Sequence, residues 1–238
     1  MNTILTTDQL LKVKDFIYKN GRLLERKLFE YFFENGSRQA CLKALSAYQN
    51  EDGGFGNGIE PDLMCPDSSA IGAETAMYLL DLLDCGNTEI AHSLIDWIIT
   101  HQTDEGDIPH PPKNFLHYPY QPWWKNPDKE RVLSLAGYLM KWGIDQPDFF
   151  QRVRSFHSIM PLPGAMRYYD YPYFVYLKYC SASHEDQTRF SAIVEQLPTL
   201  LRNYRDHFPL FSRAWYLARD TVSQEVLVLE ANLFINAF

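Results

Sequence analysis

Three carboxylates stand within eight residues in "GIEPDLMCPD": Glu60, Asp62 and Asp67. Carboxylates this close push one another's pKa upward, so that one stays protonated as an acid beside an ionised partner. An apolar, aromatic surround enlarges that effect. On this reading Asp62 or Glu60 is a general acid and Asp67 its neighbour. The same residue types also serve structure, with Asp67 as cap of the helix that follows and Glu60 and Asp62 as acceptors for the preceding glycine-rich turn. Both roles stand open on sequence alone.

A second group of reactive and stacking side chains lies in "GDIPHPPKNFLHYPYQPWW": His110, His117, Tyr118, Tyr120, Trp123 and Trp124. Proline stiffens this loop, and rigid aromatics at a rim stack on sugars, cover an isoprenoid chain or bind a partner. His110 or His117 supplies a base near neutral pH. The alternative is a loop that packs its rings onto neighbouring helices. The third group is "GAMRYYDYPYF", where Arg167 and Tyr168 offer a contact for a diphosphate or carboxylate, or Arg167 pairs with Asp170 at the surface.

These groups must be positioned by helices, since almost every periodic segment has helical spacing. "TTDQLLKVKDFIYKNG" opens on Thr/Asp and closes on Asn-Gly, and "RLLERKLFEYFFENG" repeats the plan. A third helix is expected from Ser37 to about Gln49, a fourth from Ser68 or Ser69 to Gly86, and a fifth behind Thr88 as N-cap. After the proline-rich loop a helix starts at Asn126-Pro127 and stops at Gly143. Further helices are expected over about 147–157, 165–181, 185–205, 209–219 and 222–238, and no strand. Ala70, Gly72, Ala73 and Ala76 make the fourth helix thin on one side, as an inner ring of helices requires; the third and fifth carry bulkier stripes suited to an outer ring.

Composition narrows the function classes. The net charge of −8 has no basic stripe to offset it and opposes binding to nucleic acid. No run of about 20 apolar residues and no export-type leader is visible, so a cytoplasmic protein is expected, with Cys41, Cys65, Cys85 and Cys180 reduced. Neither metal-ligand spacing nor a Walker, Rossmann, G-x-S-x-G or H-E-x-x-H pattern occurs, and no metal or cofactor is expected. The 15 Tyr, 15 Phe and 5 Trp fill a core or line a wide apolar cavity with polar tips.

The chain also repeats itself. With Gln49 set on Gln102, Asp52 falls on Glu105, Gly53 on Gly106 and Phe55 on Ile108, an offset of 53 residues. Each copy follows an apolar helix, as in arrays of stacked hairpins that share a core. A glutamine at the last helical turn reaches adjacent backbone, glycine supplies the helix exit, and the aromatic pins the turn.

"QNEDGGFG" resembles the Q-x-x-D-G-G-[FW] repeat of the squalene-cyclase and protein-prenyltransferase superfamily, and the longer "QNEDGGFGNGIEPDLMCPDSS" is similar to small bacterial proteins with prenyltransferase-type repeats. The resemblance implies an all-α fold, an α/α toroid of concentric hairpins, here one domain over residues 1–238. It also implies a hydrophobic, isoprenoid substrate processed by acid-initiated, terpene-cyclase-like chemistry. The family's D-x-D-D, D-D-x-x-D and Asp-x-Cys motifs are absent. The length is short for a full ring, and the apolar end "VLEANLFINAF" suggests a missing final repeat or homo-oligomer packing through the C-terminal helix. Two other readings remain: a carbohydrate-active lyase or glycosidase on an α/α toroid, and a non-catalytic binding module.

Overall fold

Helix signals in the sequence translate directly into backbone. Our computed structural model describes residues 6–126, 130–160, 171–203 and 218–235. Among these residues the fold is all-α, with ten helices and no strand. In chain order they are α1 Thr7–Asn20, α2 Leu23–Phe33, α3 Arg38–Leu45, α4 Ala70–Leu82, α5 Glu89–Thr100, α6 Arg131–Lys141, α7 Pro147–Ile159, α8 Tyr171–Cys180, α9 His184–Asn203 and α10 Gln224–Ile235. The helix expected over 209–219 lies largely outside the described residues. None of the described helices is long and apolar enough to cross a membrane.

The caps show why the helices begin and end where they do. Thr6 accepts from the Gln9 amide while the Gln9 side chain returns to the Thr6 amide, a capping box that opens α1. Two Asn-Gly pairs end α1 and α2 by different means. Asn20 donates its side-chain amide to the Phe16 carbonyl, 2.8 Å, and Gly21 is extended. After α2 it is Asn35, at φ +56°, that turns left-handed, and Gly36 donates to the Glu30 carbonyl, 2.8 Å. The third helix is shorter than expected and tightens into a 3-10 turn, Ser46–Tyr48, before Gln49. Ser69 caps α4 through the Gly72 amide, whereas Thr88 takes the N-cap place of α5 with its hydroxyl turned back to Cys85.

The chain divides into two compact units, Leu5–Arg131 and Val132 onward. In the first, α1 packs on α2, α2 on α3 and α4 on α5. In the second, α9 packs on both α8 and α10. There Gly137 of α6 lies against Val175 of α8, Tyr138 and Tyr171 share a hydroxyl–hydroxyl hydrogen bond, and the His157 imidazole meets Asp186 at 3.2 Å. The cysteines are free thiols. Burial raises the pKa of each, that of Cys180 to about 12, and thereby suppresses thiolate reactivity.

The two repeat turns have the same construction. Gln49 Nε2 donates to the Gly53 carbonyl at 3.0 Å, and Gln102 Nε2 donates to the Gly106 carbonyl at 3.1 Å. Asn50 bonds Gly54 at 2.9 Å as Thr103 bonds Asp107 at 2.8 Å. Gly53 and Gly106 sit at φ +88° and +91°, a region that costs any side chain dearly. Phe55 and Ile108 are both buried. The copies part at the acid. Asp52 accepts from the Gly54 amide, the Ser68 hydroxyl and the Trp97 indole, so it ties the turn to α5. Glu105 is exposed, and it is Asp107 that accepts locally, from the Ile108 amide.

The first turn also seats α4. Ser69 donates its amide to the Phe55 carbonyl at 3.0 Å, and a Cβ on Gly72 would stand 2.1 Å from that same oxygen. Gly72→Ala must therefore push α4 off the turn, with an expected loss of about 3 kcal/mol or more in urea unfolding. Gly143→Ala faces open space at φ +73° and should cost only the backbone strain, about 1 kcal/mol.

Candidate functional site

The loops around the acidic cluster meet in a short ribbon. Residues 62–64 and 119–121 run antiparallel, with Leu63 opposite Tyr120 in a single bridge. Met64 donates to the Pro119 carbonyl at 2.9 Å and Gln121 to the Asp62 carbonyl at 3.0 Å. Pro61, Pro66, Pro119 and Pro122 remove amide donors on both sides and limit how far such pairing extends. Side chains alternate across the ribbon. Leu63 is buried with Ile71 of α4 and Trp124, and Phe115 and Tyr120 pack against them. Met64 is exposed on the other side.

Asp62 fastens this ribbon. Its Oδ2 accepts from the Trp123 indole at 3.0 Å and its Oδ1 from the Trp124 indole at 3.1 Å. Trp124 is 7% exposed and Trp123 is 58% exposed, so one carboxylate holds an inward and an outward ring. Asp67 Oδ2 accepts from Asn114 at 2.8 Å, a second tether between the same segments. Glu60 accepts from the Thr75 hydroxyl of α4. In this arrangement each carboxylate has its own donor on a different part of the fold.

One turn along α4 from Ile71 lies Glu74, 1% exposed. It accepts from Arg131 Nη1 at 2.8 Å. A buried pair of this kind is held by geometry, because desolvation offsets much of its Coulomb attraction. His110 lies near this pair. Its ring meets Trp124 edge-on, 5.1 Å between centroids and 87° between planes. Both of its ring nitrogens are buried without a hydrogen-bond partner. Burial, with the Arg131 charge adding to it, pushes the His110 pKa down to about 3, so the imidazole is neutral near neutral pH.

The structure thus brings together Glu60, Asp62, Asp67, His110, Trp123 and Trp124 in the first unit. His117 ends a 3-10 turn, Phe115–His117, and is exposed; Tyr118 follows it, 39% exposed. Arg167 and Tyr168 lie outside the described residues. The Glu74–Arg131 pair escapes sequence reasoning, although a lone carboxylate inside the small, apolar run "AIGAETAMYLL" is a signal for it. Among the described residues no three His, Cys, Asp or Glu side chains gather to hold a metal ion. Compared with known proteins, the chain matches no protein-family model, no curated protein and no solved structure.

Asp62→Ala leaves two indole N–H groups without their acceptor, one of them buried. We expect a loss of about 2–3 kcal/mol in urea unfolding and a weakened near-UV circular dichroism signal from the tryptophans. His110 yields a pH dependence. Its pKa is lower in the folded chain, about 3, than its ordinary 6.5, so between these values the unfolded chain binds the extra proton. That contribution to stability is complete above pH 6.5 and is lost as pH falls toward 3, with a slope of at most about 1.4 kcal/mol per pH unit. His110→Phe should remove this component from the pH profile of the unfolding midpoint.

Proposed function

We propose that this protein is a cytoplasmic α/α repeat protein of the toroid type, whose first unit binds a hydrophobic small molecule of the isoprenoid class. The observation that supports binding most directly is the grip of Asp62 on two indoles. A tryptophan whose N–H is already committed to the scaffold has only its ring face to offer, and a ring face favours apolar or C–H-rich partners. Trp123 is 58% exposed, and the ribbon and its 3-10 turn also expose Leu116 and Met64. These side chains sit on backbone tied by hydrogen bonds at both ends, so ordering costs on binding are small. Covering roughly 200 Å² of such surface contributes about 5 kcal/mol at roughly 25 cal/mol per Å², which is set against the ligand's loss of translational and rotational freedom.

The matching construction of the two glutamine–glycine turns supports the toroid reading, because equivalent turns recur at equivalent corners of a stacked array. Acid-initiated cyclisation or isomerisation is the chemistry implied by the family resemblance. Within this reading Asp62 or Glu60 is the general acid with Asp67 as its neighbour; Asp62 accepts hydrogen bonds on both oxygens and Asp67 accepts one from Asn114. A saccharide ligand is the second reading, favoured by the open position of Trp123 at the surface.

Farnesol and a linear hexasaccharide, titrated separately with tryptophan fluorescence as readout, distinguish these. Farnesol is expected to bind, and Trp123→Ala to weaken it by roughly tenfold or more. Hexasaccharide binding alone transfers the assignment to the second reading. Farnesol binding that is indifferent to Trp123→Ala contradicts the placement of the site.

A further inference from the structure

We propose that α1 is a self-association face, on which a second copy of this chain packs its own α1 antiparallel about a twofold axis. A helix of 14 residues is marginal in isolation and relies on an apolar face packed against a neighbour. Yet α1 buries none of its side chains. It packs on α2, where Tyr18 donates to Glu30 at 2.8 Å and Lys14 pairs with Glu34. Val13, 40% exposed, and Phe16, 66% exposed, stand on the side turned away from those two links.

The spacing of the outward residues selects a copy of the same helix. Gln9, Val13, Phe16 and Asn20 recur at helical intervals of four, three and four, which makes one continuous stripe. Beside it runs a second stripe in the same rhythm: Asp8, Lys12, Asp15 and Lys19, all exposed and alternating in sign. A twofold axis perpendicular to paired helices sets each flank beside its own copy, running in the opposite direction. Asp8 then falls beside the second copy's Lys19, and Lys12 beside the second copy's Asp15, each relation occurring twice. Along the centre Val13 meets the second copy's Phe16, and Gln9 its Asn20. Parallel pairing instead carries the charged stripe across to the side of Leu10 and Ile17 and loses every one of these matches.

Little holds these groups to their present partners. Asp15 and Lys19 pair within the helix at 2.6 Å, but their side chains are 60% and 69% exposed, and such contacts are weak. Size sets the strength of the association. Two helices about 21 Å long cover on the order of 900 Å² in total when paired, just under the roughly 1,000 Å² expected of a stable interface. The dimer is therefore reversible and favoured at high protein concentration. A lipid surface fits this face less well, since Asp8 and Asp15 offset two of the helix's lysines, Lys12, Lys14 and Lys19.

Sedimentation equilibrium of the full chain between roughly 5 and 500 μM tests the pairing. The mass is expected to rise with concentration from 27.8 kDa toward twice that value. Phe16→Lys should hold the chain monomeric throughout and leave the melting temperature of the monomer unchanged. Lys12→Asp or Asp15→Lys alone sets like charges together at both symmetric contacts and should weaken association by about tenfold. The double exchange should restore it. Leu229→Lys, at an exposed position of α10, should have no effect. A monomer at every concentration overturns the proposal; co-sedimentation with phosphatidylglycerol vesicles would then give the face to a lipid surface, and a lowered melting temperature for Phe16→Lys would mean cover from within the chain. A dimer that survives Phe16→Lys, or that only Leu229→Lys dissolves, overturns it too. Weakening by the single exchanges without recovery in the double overturns the antiparallel arrangement.

Discussion

The first unit depends on one close approach: the N-terminus of α4 resting on the carbonyl of Phe55. The Ser69 amide bonds that oxygen, and Gly72 passes so near it that any Cβ would collide. Gly54 and Gly56 are closed in the same way, by Ser68 and Trp97 and by the carbonyls of Pro66 and Asp67. The glycines of "QNEDGGFG" are therefore contact surfaces as well as turn formers. They allow backbone to pack on backbone, and Asp52 locks the result by accepting from the turn, from Ser68 and from Trp97 of α5. Once α4 is seated, its next turn carries Ile71, Glu74 and Thr75 to fixed places. Each then holds a different part of the site: the Leu63–Trp124 cluster, Arg131 and Glu60.

Charge in this region is arranged as scaffold. Asp62, Asp67 and Glu60 each take N–H or O–H donors from a separate segment, which gives a proline-rich loop of little regular structure a defined course. The ionic pair inside, Glu74 with Arg131, ties Arg131 to α4 within the first unit. What the scaffold presents is of another kind: an exposed ring face at Trp123 and apolar neighbours at Leu116 and Met64. Ion pairs and carboxylate–indole bonds thus supply order, and in the proposed reading recognition falls to the exposed apolar surface.

How much of this was legible in the sequence follows from range. Local signals read well. The Thr6 capping box, the Ser69 cap and the glutamine–glycine turns each lie within a few residues, and the equivalence of Gln49 with Gln102 extends to matching hydrogen bonds. Even local rules bend where a neighbouring acceptor competes: Thr88 stands at the start of α5 but spends its hydroxyl on the Cys85 carbonyl three residues back. The two chemistry-bearing segments were recognised as candidates, and the ribbon joins them. Their partnerships were not legible, since Asp62 meets indoles 61 and 62 residues away and Glu74 meets an arginine 57 residues away. Residue type alone does not tell an acid that donates protons from one that accepts hydrogen bonds. The buried nitrogens of His110 were invisible for the same reason, because solvent exclusion is a property of the packed loop.

The central claim is that the Asp62-fastened ribbon is a binding surface for an apolar ligand. Titration of farnesol into isotopically labelled protein, followed by nuclear magnetic resonance, tests it most directly. The account predicts shifts concentrated on the ring C–H signals of Trp123 and on the amides of 62–64 and 118–124, with the Trp123 Nε1–H resonance still bonded to Asp62. Shifts concentrated in α7 to α9 instead, or none at saturating ligand, would contradict it.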